Sequence, residues 1–470
     1  MATKEETPET KPPPPAEEAK APEEDKAVEA KKKREESEEL TKRLQKLALE
    51  RQKQSTGERL KVIQSDDHQS HLSGAKTFQE LNLPKHLLDA IFAMGFDRPS
   101  AIQEEALPRI LADPPRNLIG QAQSGSGKTA AFTVGMLYRT VVDEPPTTQA
   151  LCVTPSRELA IQIFEKAVRP MAANMVGLKI QLAIKGTDIE KGQKLVAHIV
   201  IGTPGKIVAW LKNKKINAKT IKVFVLDEAD NMVAEGGHRA NSLLIKKHMP
   251  KYCQSLLFSA TFPKDVVQFA DKMIYKADKI LIESEESLVL DIIKQLWIDT
   301  RNYDGGKIEF LADIYSLLTI GQSIIFVATV DNANKVHRSL EENGYTCSVL
   351  HGRLLPEERD STMDDFRMGK SNVLVTTNVL ARGVDVDNVC LVINYDPPLD
   401  RDNNPDFETY LHRIGRTGRF GRKGTAISLV DDAKSVDVLA AIESHFSKEG
   451  KEMIAQAEAD PEALADVIEI

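Results

Sequence analysis

The stretch Ala122-Gln123-Ser124-Gly125-Ser126-Gly127-Lys128-Thr129 decides how the rest of the chain is read. It follows the apolar pair Leu118-Ile119 and leads into Ala130-Ala131-Phe132-Thr133-Val134, which reads as the start of a helix. Gly125 and Gly127 permit a tight turn in which successive backbone N–H groups point inward at an anion. A helix N-terminus behind that turn adds partial positive charge. Lys128 supplies a full charge for the outer phosphates of a nucleotide, and the Thr129 hydroxyl is placed to ligate Mg2+. Ala122 holds the position usually taken by the first glycine of such a loop. In isolation, a Gly/Ser-rich turn that happened to end in Lys-Thr would look the same.

A second stretch resolves this. Val223-Phe224-Val225-Leu226 is a continuous apolar run, as expected of a strand buried on both faces of a parallel sheet. It ends in Asp227-Glu228-Ala229-Asp230, at the carboxyl end of the strand, where open α/β sheets bind ligands. Alone, those four residues suit a solvated turn. Downstream of a phosphate loop, Asp227 becomes the natural second residue serving Mg2+, and Glu228 a candidate base for water. The pair argues for nucleoside triphosphate hydrolysis.

Composition narrows the field without deciding it. At 470 residues the chain is long enough for two or three domains, and 28% charged against 41% hydrophobic residues is a globular balance. No apolar run approaches a membrane span, and no secretory signal opens the chain. The four cysteines are scattered without a Cys-x-x-Cys pair, which favours small hydrophobes in a reducing compartment over disulfides or zinc. A net charge of −8, from 62 basic and 70 acidic residues, argues against a nucleic-acid binder working by bulk attraction. It leaves open one that works by charge placement.

On the phosphate loop and the acidic tetrapeptide the chain resembles the DEAD-box RNA helicases of helicase superfamily 2. The resemblance runs from about Phe78 to about Asp431. It implies an α/β fold of two tandem RecA-like parallel-sheet domains, with an ATP site and an RNA groove across their cleft. The expected layout is an N-terminal extension over 1–77, a first domain over 78–285, a linker over 286–294 and a second domain over 295–470. The extension contains no Phe, Trp or Tyr and opens with Lys11-Pro12-Pro13-Pro14-Pro15, so its first part is expected to be disordered. From about Ala27 to Gln54 it turns helix-forming, with a thin stripe of Leu40, Leu44, Leu47 and Leu49 that suits either a solvated helix or one docking over the cleft. Ala277 to Ile293 reads as weak, charge-rich structure leading between the lobes.

Within the first domain, Gln103 carries an amide donor and acceptor that can pair with an adenine edge, and Phe78 could stack on the ring. In this family these look like the adenine-reading motif, which implies ATP. Pro155-Ser156-Arg157-Glu158, Lys185-Gly186-Thr187 and Thr203-Pro204-Gly205-Lys206 each follow an apolar strand candidate and offer N–H groups, a hydroxyl or a base to phosphate oxygens. Together they match the family's single-strand RNA track, which assigns Pro155, Arg157, Gly186, Thr203 and Gly205 to RNA. Thr187 stands where a second glycine is usual and Lys206 where arginine is usual; lysine neutralises a phosphate without the bidentate fork. Ser259 and Thr261 resemble the motif that links hydrolysis to RNA release, through hydrogen bonds to the acidic tetrapeptide and Asp230.

The second half repeats the strand–helix alternation without a phosphate loop, which suits a lobe that completes the first lobe's site. Arg416 and Arg419, in His412-Arg413-Ile414-Gly415-Arg416-Thr417-Gly418-Arg419, are then arginine fingers acting within the chain. A basic RNA-facing patch is the plainer account of the same cluster. The resemblance further implies that His412 and Arg413 couple to the acidic tetrapeptide, with Arg413 pairing to it. It puts Gly383 and Asp385 at the nucleotide, Asp385 on a ribose hydroxyl, and Thr329, Gly352, Arg359 and Thr376 on RNA. Pro356 stands where that motif usually has glutamine.

The insertion Asp396-Pro397-Pro398-Leu399-Asp400-Arg401-Asp402-Asn403-Asn404-Pro405 is similar to the branch acting in mRNA export at the cytoplasmic face of the nuclear pore. That branch implies a nucleoporin on the first lobe, a pore-tethered activator using inositol hexakisphosphate, a monomer, and residence in cytoplasm and nucleus. A translation-type helicase of the same family, or an ATP-gated RNA clamp with little turnover, are the competing expectations.

Overall fold

The apolar runs read as strands divide their side chains between two cores. In the computed structural model, Ala150 and Cys152 of Ala150–Val153 face one cluster, while Leu151 and Val153 face another. Val223 and Val225 against Phe224 and Leu226 repeat the split, which is why neither run alternates in polarity. The structure describes residues 60–65, 72–122, 125–190, 193–234, 236–282, 293–317, 321–378, 389–400, 402–418, 424–447 and 453–468. The helix-forming stretch Ala27–Gln54 lies outside the described residues.

The first sheet comprises β1 (Leu60–Ile63), β2 (Asn117–Gln121), β3 (Ala150–Val153), β4 (Ile180–Ala183), β5 (Ile199–Gly202), β6 (Val223–Leu226), β7 (Gln254–Ser259) and β8 (Ala277–Ile282). Their order across the sheet is β1-β8-β2-β7-β6-β3-β5-β4, parallel throughout except where β1 runs antiparallel to β8. The second sheet holds β9 (Ile293–Asp299), β10 (Gln322–Phe326), β11 (Cys347–Leu350), β12 (Val373–Thr376), β13 (Val389–Asn394), β14 (Gly424–Val430) and β15 (Ile454–Ala457). Its order is β11-β12-β10-β13-β14-β9-β15, all parallel. Helices cover both faces of each sheet, the doubly wound RecA-like arrangement expected.

Two expectations about the first lobe are corrected. Leu60–Ile63, expected in the extension, pairs with Ala277–Ile282, and that segment is an inner strand, not a passage between lobes. Its polar look comes from Asp278, which is fully buried because Arg116 Nη1 at 3.4 Å and Arg109 Nε at 3.8 Å compensate its charge. Asp278 Oδ1 also accepts from Ser65 N at 2.9 Å, tying the end of β1 down. Ile293 and Lys294, expected in the linker, open β9. All four cysteines are free, Cys152 and Cys253 buried and the other two half-buried. Among the described residues no helix is long and apolar enough to cross a membrane.

Candidate nucleotide and RNA site

The phosphate loop sits between the end of β2 and the helix Lys128–Arg139. Gly125 and Gly127 take φ of +82° and +101°, the left-handed region that a Cβ disfavours. A Cβ on Gly127 would stand 2.4 Å from Gln103 Nε2, so the second glycine is also required sterically. Lys128 is buried, and its Nζ donates to Ala122 O at 2.5 Å, folding the cation over the loop. Ser126 and Thr129 lie on the same turn; Ser124 is outside the described residues.

Gln103 and Phe78, expected to read adenine, both have partners within the protein. Gln103 is 3% exposed, its Oε1 accepting from Ser100 N at 3.0 Å and its Nε2 donating to Gly127 O at 3.1 Å. Its amide closes the capping box of the helix Ala101–Leu111 and braces the phosphate loop, using one N–H and one lone pair of the two that each end of the amide carries. The Phe78 ring is also 3% exposed, edge-on to Phe92 at 6.4 Å, and so presents no open face for stacking.

After β6, Asp227, Glu228 and Asp230 are all buried, each with its own partners. Asp227 Oδ1 accepts from Glu228 N at 3.0 Å. Burial pushes its carboxyl up to about 7 against the opposing charge of Lys128. Glu228 is held at φ +52°, uncommon for a residue with a Cβ, and its Oε2 accepts from Asn231 Nδ2 at 3.3 Å. Among the described residues no three acidic, His or Cys side chains are gathered to hold a metal ion by themselves, so a divalent cation here would rest on Thr129, Asp227 and the phosphates of a nucleotide.

Ser259 and Thr261 reach the tetrapeptide from β7. Asp230 N donates to Ser259 Oγ at 3.0 Å, and Asp230 Oδ2 accepts from Thr261 Oγ1 at 3.0 Å.

The helix Phe407–Ile414 and the turn after it bring second-lobe groups to the same acids. His412 Nε2 lies 3.5 Å from Asp230 Oδ2. Arg416 is 3% exposed, its Nε donating to His412 O at 3.0 Å. Burial lowers its guanidinium to about 10, with Glu228 pulling the other way. Arg413 does not pair with the tetrapeptide. It is buried in its own lobe, where Nε and Nη2 donate to Asn378 Oδ1, Nη1 donates to Asn394 Oδ1 and Asp396 O, and the guanidinium lies 5.1 Å over the Phe326 ring. Those partners satisfy its donors locally, so the neighbouring His412 faces the first lobe instead. Gly383, Asp385 and Arg419 are outside the described residues.

Several of the residues expected on RNA are engaged by protein partners. Gly186, at φ +94°, turns after β4; Thr203 precedes the helix Pro204–Lys212, and Gly205 has open space where a Cβ would be. Pro155 is buried after β3. Arg157 binds Asp360 of the second lobe, and Arg359 lies 2.7 Å from the buried Glu158 Oε1. Thr329 is the N-cap of the helix Val330–Glu342 and Gly352 is exposed. Thr376 is fully buried with its hydroxyl donating to Leu350 O, so it offers nothing to RNA in this arrangement. Reading the sequence missed Asn231, Asp188 and Asp360, because polar residues beside a motif give no sign of what they touch.

Two family models match the chain: the DEAD/DEAH box helicase model over residues 100–269 and the helicase conserved C-terminal domain over 306–421. The chain is 48% identical over 389 residues to the ATP-dependent RNA helicase DBP5 of Meyerozyma guilliermondii, covering 83% of this chain and 79% of that protein. It is 47% identical over 390 residues to the ATP-dependent RNA helicase DDX19A of Homo sapiens, covering 83% and 80%. Among solved structures, S. cerevisiae Dbp5 bound to RNA and ADP BeF3 matches with TM-score 0.77 and 44% identity over 84% of this chain and 99% of that one. A Dbp5 variant bound to Nup159, a Gle1 variant, IP6 and ADP matches with TM-score 0.58 and 42% identity over 82% and 98%. With a phosphate loop, a buried acidic tetrapeptide and both family models in one chain, it belongs to the DEAD/DEAH box helicase family, among the ATP-dependent RNA helicases.

Proposed function

We propose that this chain couples ATP hydrolysis to the local remodelling of RNA or RNA–protein complexes, in mRNA export at the nuclear pore. The observation that carries the reading is the meeting of the two lobes on the acidic tetrapeptide, with His412 at 3.5 Å from Asp230 and Arg416 buried under the influence of Glu228.

In this reading the glycine turn and Lys128 bind the phosphates of ATP. Thr129 and Asp227 would hold Mg2+, which neutralises charge on the phosphate oxygens when bound. Glu228 orients the attacking water and takes its proton, its carboxylate held by Asn231 Nδ2. Arg416 stabilises charge on the transferring phosphoryl group, a contact that exists only while the lobes are together. Asp230, bound by Thr261 and close to His412, links the hydrolytic cluster to both β7 and the second lobe. RNA is gripped by its sugar–phosphate backbone, which favours RNA over DNA through the 2′-hydroxyl with little sequence preference.

The relatives support the partners of the proposal. S. cerevisiae Dbp5 has been solved with RNA and ADP BeF3, and a variant of it with Nup159, a Gle1 variant, IP6 and ADP. By likeness, this chain takes a nucleoporin and an inositol-hexakisphosphate-dependent activator, and works at the cytoplasmic face of the pore as a monomer. Steady-state ATP hydrolysis with and without single-stranded RNA tests the core of the reading. Multiple-turnover hydrolysis that RNA stimulates is expected; RNA-independent or single-turnover hydrolysis would overturn it.

A further inference from the structure

Two cations on the RNA track already hold an anion, and the two anions belong to the chain. Arg157 Nη2 lies 2.5 Å from Asp360 Oδ2 and Arg157 Nε 3.4 Å from Asp360 Oδ1, so the guanidinium fork takes both carboxylate oxygens. Its remaining arm, Nη1, donates to Lys185 O at 2.6 Å. A fork that grips a carboxylate this way grips two phosphate oxygens in the same manner, so a phosphate on that edge must displace Asp360. Lys206 Nζ lies 2.5 Å from Asp188 Oδ1, and its ammonium stands 5.9 Å over the Trp210 ring.

The two departures from the family pattern explain this second pair. Thr187, in place of a glycine, closes its own turn, its Oγ1 accepting from Ile184 N and donating to Ile184 O. That turn carries Asp188 to Lys206. Both carboxylates can leave for water at little cost, the Asp188 side chain being 85% exposed and that of Asp360 38%. Glu158 differs. It is 3% exposed and paired with Arg359, so its charge has nowhere to go and that pair is a fixture.

We propose that Asp188 and Asp360 are resident competitors in the RNA groove, occupying Lys206 and Arg157 until RNA phosphates replace them. The proposal rests on the reading that Lys206 and Arg157 contact RNA phosphate. RNA binding is then an exchange of one anion for another at each of these cations. The net release of counterions per contact is smaller than for an unpaired base, so affinity is lower and less sensitive to salt. The acidic balance of the chain, 70 acidic against 62 basic residues, fits a groove whose cations are compensated internally.

The experiment is fluorescence anisotropy of a labelled oligouridylate with the full chain over a range of salt concentrations. Asp188→Asn and Asp360→Asn are each expected to tighten binding several-fold at low salt, with the slope of log affinity against log salt steepening by up to about 0.7 per freed contact. Asp271→Asn removes an acid of intermediate exposure, 52% against 85% for Asp188 and 38% for Asp360, that is paired with Lys279, and should leave RNA affinity at the parent value. Asp188→Asn placed on Lys206→Ala should give no gain, because the cation it competes for is gone. Both members of the Asp188 pair lie on one lobe, so that arm is free of any effect on lobe closure.

If Lys206→Ala weakens binding while Asp188→Asn leaves it unchanged, the competitor role is overturned and the RNA reading stands. A gain that persists without Lys206, or that Asp271→Asn matches, reduces the effect to bulk charge and overturns the proposal as well. If Lys206→Ala and Arg157→Ala both bind RNA like the parent, the RNA reading of these residues fails and the proposal falls with it. Thermal melting of each variant separates loss of fold from loss of affinity.

Discussion

His412 Nε2 and Asp230 Oδ2 stand 3.5 Å apart, although one belongs to the second sheet's lobe and the other to the first turn of the helix Ala229–Ala234 in the first lobe. The same carboxylate oxygen accepts from Thr261 Oγ1 at 3.0 Å. One acid therefore senses the tip of β7 and the approach of the other lobe together. His412→Ala is expected to lower RNA-stimulated kcat by about 10-fold, roughly the loss of one transition-state interaction of 1.4 kcal/mol, while the affinity for ATP without RNA stays near the parent value. Separate kcat and nucleotide-binding measurements check this; an equal loss in both would make His412 a nucleotide contact.

Glu228 offers a cleaner separation of binding from chemistry. Its carboxylate accepts from Asn231 Nδ2 at 3.3 Å, so an amide at position 228 keeps the shape of the site and loses the basic oxygen. Glu228→Gln should retain ATP and RNA binding and reduce hydrolysis by about 10²-fold or more, accumulating a complex of protein, ATP and RNA. Single-turnover kinetics alongside RNA retention on a filter reads both quantities. Hydrolysis at the parent rate would remove Glu228 from the chemistry.

How much of this was legible in the chain depended on whether a residue's neighbours are near in sequence. The phosphate loop and the tetrapeptide announce themselves because glycines, lysine and acids occur beside apolar strands, and the sheet then aligns their ends. The strand Ala277–Ile282 was hidden by Asp278, whose burial becomes affordable only through Arg109 and Arg116, both distant in sequence. The adjacent residues His412 and Arg413 are equally polar in sequence, and only the positions of Asn378 and Asn394 decide that the arginine turns inward. The partner of Arg157 was beyond reach for the same reason, since Asp360 lies on the other lobe.

Gln103 braces the phosphate loop through Gly127 O at 3.1 Å while capping its own helix through Ser100 N. Removing that amide strands two half-buried backbone groups, each worth up to about 1 kcal/mol. Gln103→Ala should lower Tm by several degrees and weaken ATP binding, whereas Gln103→Glu should be worse, because it brings a carboxylate against the Gly127 carbonyl. Differential scanning calorimetry and nucleotide titration test the pair. A loss of ATP affinity with unchanged Tm would point back to direct contact with the base.

Arg413 and Arg416 are three positions apart and almost equally buried, yet opposite results are expected from their removal. Arg413 donates to the side chains of Asn378 and Asn394 and to Asp396 O, all within the second lobe. Burial lowers its guanidinium to about 10, so the charge itself costs stability and the hydrogen bonds repay it. Arg413→Ala leaves the buried Asn394 Oδ1 without this donor, removes the donors to Asn378 Oδ1 and Asp396 O, and opens a void beside the Phe326 ring. A loss of about 3 kcal/mol or more of stability follows. Arg416→Ala, by contrast, removes a group whose Nε donates to a helix carbonyl, His412 O, and whose opposing charge, Glu228, lies on the first lobe. Its Tm should move little while RNA-stimulated turnover falls by about 10²-fold or more, since the fingertip acts on the phosphoryl group only when the lobes meet. Chemical denaturation and steady-state kinetics on both variants decide the matter. If Arg413→Ala folds like the parent and loses turnover, or if Arg416→Ala unfolds, the two roles are exchanged and the inward assignment of Arg413 is wrong.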